Sequence, residues 1–171
     1  IASLWGVDLT SLIPENEALP TQQEATIPNQ NVDGDLVVHM IDVGQADCFL
    51  LIQDGKTALV DCGTRSTGKD AVEYMKELGI TTLNYVIGTH PHDDHMSNAS
   101  EIIENYDVKN ILMPKISADN QVDSPIYSTL INTIAKYDVN PLSVTSGDNF
   151  QLGNASVQVV APIKQNKNLN N

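Results

Sequence analysis

The chain has 171 residues, 41% of them hydrophobic, with 9 Lys and Arg against 22 Asp and Glu for a formal charge of −13. That length suits one domain, able to bury roughly 70% of the surface its unfolded chain exposes, so no disulfide framework is required. The charge opposes a sequence-independent nucleic-acid binder and an anionic membrane surface as main partners, since both are held by Lys and Arg. No apolar run approaches the roughly 18 residues of a spanning helix.

Residues 1–34 differ from the rest. Ile1, Leu4, Trp5, Leu9, Leu12 and Ile13 recur at helical spacing, which predicts a short amphipathic segment, either docking to a partner or lying on the domain surface. Polar sequence punctuated by Pro14, Pro20 and Pro28 follows and reads as a linker, because it has little to bury. The opening Ile1 in place of Met implies that something upstream has been removed, with a signal peptide or an anchor among the candidates.

The folded domain is expected over residues 35–171. Residues 36–43 read as a strand stopped by Gly44, and residues 46–53 and 56–61 as two more. Asp54-Gly55 between them is a two-residue hairpin signal, since both central residues need positive φ. Pairing Gln53 with Lys56 sets Cys48 opposite Asp61, one step out of register with Cys62. Alternation then sends the two thiols to opposite faces, and no disulfide between them is expected.

Residues 69–78 carry Ala71, Val72, Met75 and Leu78 on one face and end at Gly79, a helix with a glycine cap. A strand over 83–89 runs into His90. A helix is expected over 98–106, a strand over 109–113, and a helix opening at Ser124-Pro125 with Tyr127, Leu130, Ile131, Ile134 and Tyr137 as its apolar stripe. A strand over 142–145 and a hairpin around Gly153-Asn154 close the order, before a polar, Asn-rich tail. The fold class is α/β, a mixed sheet with helices on one face. Leu36, Val38, Phe49, Leu51 and Val60 make the other face apolar as well, and no further element is in sight to cover it.

Three of the four histidines fall within six residues, His90-Pro91-His92-Asp93-Asp94-His95, in the pattern H-x-H-x-D-H. Neutral imidazoles and carboxylates are the ligands that zinc, iron and manganese accept. Pro91 pushes His90 into an extended conformation, which ends the strand and opens a loop. There His90 and His92 can converge on one metal, and Asp94 and His95 can turn towards a second. Two metals sharing a hydroxide make a strong nucleophile and a clamp for phosphoryl or acyl oxygens. His39, in mid-strand, reads as a packed or surface histidine and not a ligand, and Asp42 and Asp47 as shapers of a turn.

On Ile41-Asp42-Val43-Gly44-Gln45-Ala46-Asp47, Leu59-Val60-Asp61-Cys62-Gly63 and Thr89 to His95, the sequence resembles the metallo-β-lactamase-fold hydrolases over residues 36–171. The opening segment looks like the extracytoplasmic branch related to the C-terminal domain of the bacterial DNA-uptake channel protein. That branch often has Asp where this chain has His92.

The resemblance implies the first half of a four-layer αβ/βα sandwich. It implies His90 and His92 on one divalent ion, Asp94 and His95 on a second, Asp94 also holding the attacking hydroxide in line, and Asp61 orienting a ligand. Zinc is the first choice of metal, with manganese and iron as alternatives. The family takes its bridging carboxylate and last histidine ligand from beyond residue 171, so this chain alone is not expected to complete a dinuclear site.

The expected function is metal-dependent hydrolysis of a phosphodiester or related ester, a small-molecule or cell-wall substrate suiting the charge better than DNA. A nuclease is the alternative among enzymes, and a catalytically incomplete binding or assembly domain the alternative outside them. The missing half or another chain is expected on the open sheet face, and the location is expected to be extracytoplasmic, secreted or membrane-anchored.

Overall fold

The computed structural model describes residues 34–114 and 125–161. The N-terminal segment and linker, Ser124 and the Asn-rich tail lie outside them. Strands β1 (Val37–Met40), β2 (Phe49–Gln53) and β3 (Lys56–Val60) lead to helix α1 (Gly68–Glu77) and strand β4 (Thr82–Ile87). Helices α2 (Asp93–Met96) and α3 (Ala99–Asn105), strand β5 (Asp107–Pro114), helix α4 (Pro125–Lys136) and strand β6 (Asn140–Val144) follow. A hairpin of β7 (Asn149–Leu152) and β8 (Ala155–Gln158) comes last.

The six-stranded sheet runs β1-β2-β3-β4-β5-β6, antiparallel over its first three strands and parallel from β3 onward. The β2–β3 turn has the expected register, Gln53 opposite Lys56, with Asp54 and Gly55 at φ 47° and 70°. Helix α1 ends as its glycine predicts. Gly79 sits at φ 72°, its N–H donates to Lys76 O at 2.9 Å and that of Ile80 to Met75 O at 3.0 Å, which satisfies two terminal carbonyls.

Register decides which residues share a face. Leu50, Leu59, Val86 and Ile111 lie in one row across β2–β5, all fully buried. Met75 of α1, Ile102 and Ile103 of α3 and Leu130 and Ile134 of α4 belong to the same core. The opposite face carries the row Val38, Leu51, Ala58, Tyr85, Asn110 and Asn140, and next to it Met40, Phe49, Val60, Ile87, Leu112 and Leu142.

This second face is not bare, as its sequence suggested. The β7–β8 hairpin folds over part of it, with Phe150 against Tyr85 at 4.7 Å between rings and the Asn154 N–H donating to Gln53 Oε1 at 2.5 Å. Asn154 Nδ2 also donates to Asp54. Towards the β1 edge the face stays open, where Val38 is 55% and Met40 79% exposed.

The cysteines also depart from expectation. Both are free and buried, but they share the helix-side core instead of lying on opposite faces. Strand β3 ends at Val60, and Asp61 takes φ 52°, which breaks the period-two alternation before Cys62 is reached.

Candidate metal centre

The site forms at the C-terminal ends of β3 and β4. Asp61 leaves β3 in the left-handed conformation that Asp tolerates better than most residues, while its N–H still donates to Ile87 O at 2.9 Å. Its carboxylate is 2% exposed and accepts three hydrogen bonds, from the Thr89 N–H at 2.9 Å, the Thr89 hydroxyl at 2.7 Å and His95 Nδ1 at 2.8 Å. The far side of His95 is fixed by backbone: Cys62 N–H donates to His95 O at 2.9 Å, and Cys62 Sγ lies 3.3 Å from the same oxygen.

After Pro91 the chain makes one helical turn. His92 caps α2 in an extended conformation, and the N–H groups of His95 and Met96 donate to its carbonyl at 3.1 and 3.0 Å. This turn folds His95 back over His90, ring centroids 3.9 Å apart, with His92 edge-on to His90 at 4.5 Å. His90, Asp94 and His95 thereby each bring a ligand atom within 4.8 Å of the others. His92 stands beside this group, its ring 4.5 Å from that of His90.

The donors suit a divalent ion. Asp61 accepts the Nδ1 proton of His95, which leaves Nε2 as a lone pair, 3.6 Å from Asp94 Oδ2. Two ligand atoms on a tetrahedral ion with bonds of about 2.0–2.1 Å stand about 3.3 Å apart, close to that separation. The Thr89 hydroxyl donates to Asp61, so its oxygen can accept from His90 Nδ1 at 3.1 Å and leave His90 Nε2 free in turn. Burial, then the neighbouring His95 and His92, lowers the His90 pKa and favours the neutral ring a metal needs, against the smaller opposite pull of Asp61 and Asp94.

Two residues gain importance beyond their sequence reading. Thr89 connects Asp61 to His90; its only sequence signal is its place directly before the histidine cluster. Asp47, taken as a turn shaper, places Oδ2 3.9 Å from His95 Nδ1 and forms a second close group with Asp61 and His95. Its carbonyl accepts from Gly63 N–H at 3.1 Å, which ties the β1–β2 loop to the turn after Asp61. Asp42 accepts from Gly44 N–H at 3.1 Å and shapes the turn, as expected.

Comparison with known proteins defines the class of fold. The sequence profile of the metallo-beta-lactamase superfamily matches residues 41–126, just over half of the chain, and the protein belongs to that superfamily. No curated protein matches it in sequence. Its fold is similar to that of the metallo-beta-lactamase SMB-1 in complex with mercaptoacetic acid, at 19% identity and TM-score 0.53, over 76% of this chain and 51% of that one. MEM-A1, a subclass B3 metallo-beta-lactamase from a soil metagenome library, is similar at 17% identity and TM-score 0.51, over 76% and 50%. An archaeal superfamily protein from Sulfolobus tokodaii is similar at 20% identity and TM-score 0.52, over 76% and 56%. The chain thus spans about half the length of these structures. The narrower resemblance to the DNA-uptake branch has no counterpart among these matches.

Proposed function

We propose that this chain supplies the histidine-rich half of a metal-dependent hydrolase acting on a phosphodiester or related ester. The observation that carries this reading is the Asp61–His95 hydrogen bond at 2.8 Å beside the grouped His90, Asp94 and His95. A buried carboxylate that fixes a histidine tautomer and aims its other nitrogen at a cluster of donors is how proteins prepare a metal ligand.

His90, Asp94 and His95 would hold one divalent ion, with His92 beside them able to serve a second; zinc is our first choice. A bound ion supplies Lewis acidity and brings the pKa of a water towards neutrality. The chain's own groups do the rest: Asp61 keeps the proton on His95 Nδ1, Thr89 steadies His90, and Asp94, half-exposed at the rim, is placed to accept a hydrogen bond from the attacking water. The charge of −13 favours a small ester over DNA, and the resemblance to the DNA-uptake branch is what supports an extracytoplasmic location.

The test is metal-dependent turnover of bis(p-nitrophenyl) phosphate by the full-length protein, with zinc content measured in parallel. Zinc-dependent hydrolysis lost together with zinc in His95→Ala is the expected result. A zinc-loaded protein without esterase or phosphodiesterase activity would leave the binding or assembly reading in its place.

One observation favours a partner layer. Val38 and Met40 stand exposed on a sheet face where Phe49, Leu51, Val60 and Ile87 are half-buried, and Leu142 is 38% exposed at the opposite edge. Burying each such side chain contributes about 1.5–3 kcal/mol. We infer that a further part of a longer chain, or another chain, packs here. Val38→Lys with Met40→Lys should weaken that association in sizing experiments and leave zinc binding to His90 and His95 intact.

A further inference from the structure

Cys48 and Cys62 stand across from each other where β2 and β3 begin to part. Regular pairing runs from Gln53 opposite Lys56 to Phe49 opposite Val60. Beyond that the register changes, since Gly63 N–H donates to Asp47 O at 3.1 Å. The three steps from Val60 to Gly63 are thus matched by two from Phe49 to Asp47, the two-against-one count of a β-bulge. Asp61, at φ 52°, is the extra residue, and Asp61 and Cys62 both stand opposite Cys48.

The backbone groups at this point are directed away from the partner strand. Asp61 N–H donates to Ile87 O at 2.9 Å, Cys62 N–H donates to His95 O at 2.9 Å, and Cys48 O accepts from Ile41 N–H at 3.0 Å. This is the pattern of a cross-strand pair without ladder hydrogen bonds, whose Cα atoms approach to about 4.5 Å. A disulfide needs Cα atoms about 4.4–6.8 Å apart. Both side chains belong to the helix-side core, Cys48 1% and Cys62 0% exposed, so the two thiols share one face. The alternation that parted them in the sequence is undone by the bulge.

The pair also adjoins the metal centre. Cys62 Sγ lies 3.3 Å from His95 O, and Cys48 follows Asp47, whose carboxylate is 3.9 Å from His95 Nδ1. A bond between the sulfurs fastens together the two loops that flank His95.

We propose that Cys48 and Cys62 form a cross-strand disulfide when the chain folds in an oxidising compartment, holding the β1–β2 loop to the turn after Asp61. The oxidant is a low-molecular-weight disulfide. One cysteine thiolate attacks it, forming a mixed disulfide and releasing one small thiol. The other thiolate attacks the cysteine sulfur of that mixed disulfide, which closes the Cys48–Cys62 bond and releases the second small thiol. Two protein thiols are oxidised, one small disulfide is reduced, and the two protons pass to the released thiols. The exchange precedes closure of the core, because neither sulfur is accessible in the fold. The proposal does not depend on the hydrolase reading.

The experiment starts from the full chain, reduced and unfolded in urea, and refolds it by dilution into a glutathione redox buffer or into dithiothreitol. From glutathione, a product lighter by about 2 Da is expected, with the Cys48 and Cys62 peptides still joined after tryptic cleavage at Lys56. Its urea midpoint should lie above that of the reduced protein, and amide exchange at Cys62 and Gly63 should slow about tenfold, because the cross-link restricts opening of the turn. The double variant Cys48→Ala, Cys62→Ala should give the same midpoint and exchange from either buffer. The proposal is overturned if the glutathione product keeps two free thiols or carries only glutathione adducts, or if its disulfides join separate chains. It is also overturned if the cross-linked protein has the lower urea midpoint, or if the double variant responds to the buffers as the parent does.

Discussion

Replacing Asp61 with Asn separates orientation of a metal ligand from stability of the fold. Asn is nearly isosteric and tolerates φ 52°. Its Oδ1 can keep the Thr89 N–H bond at 2.9 Å, but an amide NH₂ takes the place of Oδ2, which accepts from the Thr89 hydroxyl and from His95 Nδ1. The new group can only donate. His95 must then present a lone pair on Nδ1 and carry its proton on Nε2, the atom 3.6 Å from Asp94. Folding loses the charge-assisted character of two bonds and keeps both contacts, a cost of about 1–3 kcal/mol. Metal binding loses the lone pair it needs, and changes to such supporting groups typically cost 10–100-fold, or about 1.4–2.7 kcal/mol. Zinc affinity, by competition with a chromophoric chelator, should therefore fall by about that factor in a variant that still unfolds cooperatively in urea. Asp61→Ala is a poorer probe, because alanine at positive φ adds backbone strain and all three hydrogen bonds are lost at once. Unchanged zinc affinity in Asp61→Asn, with stability reduced, would refute the orienting role and leave Asp61 as a structural carboxylate.

The two glycines beside the histidine loop should differ in cost. A Cβ on Gly68 falls 1.9 Å from Asn98 Cγ, inside a fixed amide, so Gly68→Ala should lower stability by about 1–3 kcal/mol or more. On Gly88 it meets Met96 Sδ at 2.4 Å, a flexible thioether that can give way, so Gly88→Ala should cost less; the reverse order of urea midpoints would contradict this packing. Burial, then the nearby Asp61 carboxylate, pushes the Cys48 thiol up to about 12, and burial raises Cys62 as well. Neither thiol should react with an aromatic disulfide at pH 8 until the protein is unfolded, and prompt native-state labelling would refute their burial. Burial also lowers the His39 pKa from 6.5, so between its folded value and 6.5 the unfolded chain holds more protons. The corresponding stability is present above pH 6.5 and lost as pH falls through that window. His39→Gln should flatten this part of the pH dependence of the urea midpoint, and an unchanged slope would rule out the contribution.

Local signals carried most of the fold. The Asp54-Gly55 turn, the Gly79 cap and the strands expected over 83–89 and 109–113 each rest on chemistry within a few residues, and each stands within a residue or two of its expected place. What depends on long-range placement was not legible. The side-chain alternation through Asp61 fails because a single left-handed residue turns the chain, and no neighbouring residue announces that conformation. The cover over Tyr85 comes from a hairpin some 65 positions later in the chain, held by Asn154 on Gln53 and Asp54. The spacing of the histidine cluster showed its chemistry, but the grouping of His90 with Asp94 and His95, and the place of Asp47 beside them, needed the one-turn helix α2 in three dimensions.

The supports of the histidines and the exposed apolar edge of the sheet lie on different faces. Asp61, Thr89 and the Cys62 and His92 backbones all lie between residues 61 and 95, and they hold His90 and His95 through hydrogen bonds made entirely within this sheet and its loops, with the Asp47 carboxylate 3.9 Å from His95 Nδ1. The core beneath them closes against α1, α3 and α4 on one face only. Ligand orientation therefore depends on the covered face, whereas the exposed apolar residues Val38 and Met40 lie on the other. A layer added there would raise metal affinity by bringing further ligands or excluding water, with little change in how His90 and His95 are held. The tautomer of His95 should thus be the same with and without that layer, even where zinc affinity differs by orders of magnitude.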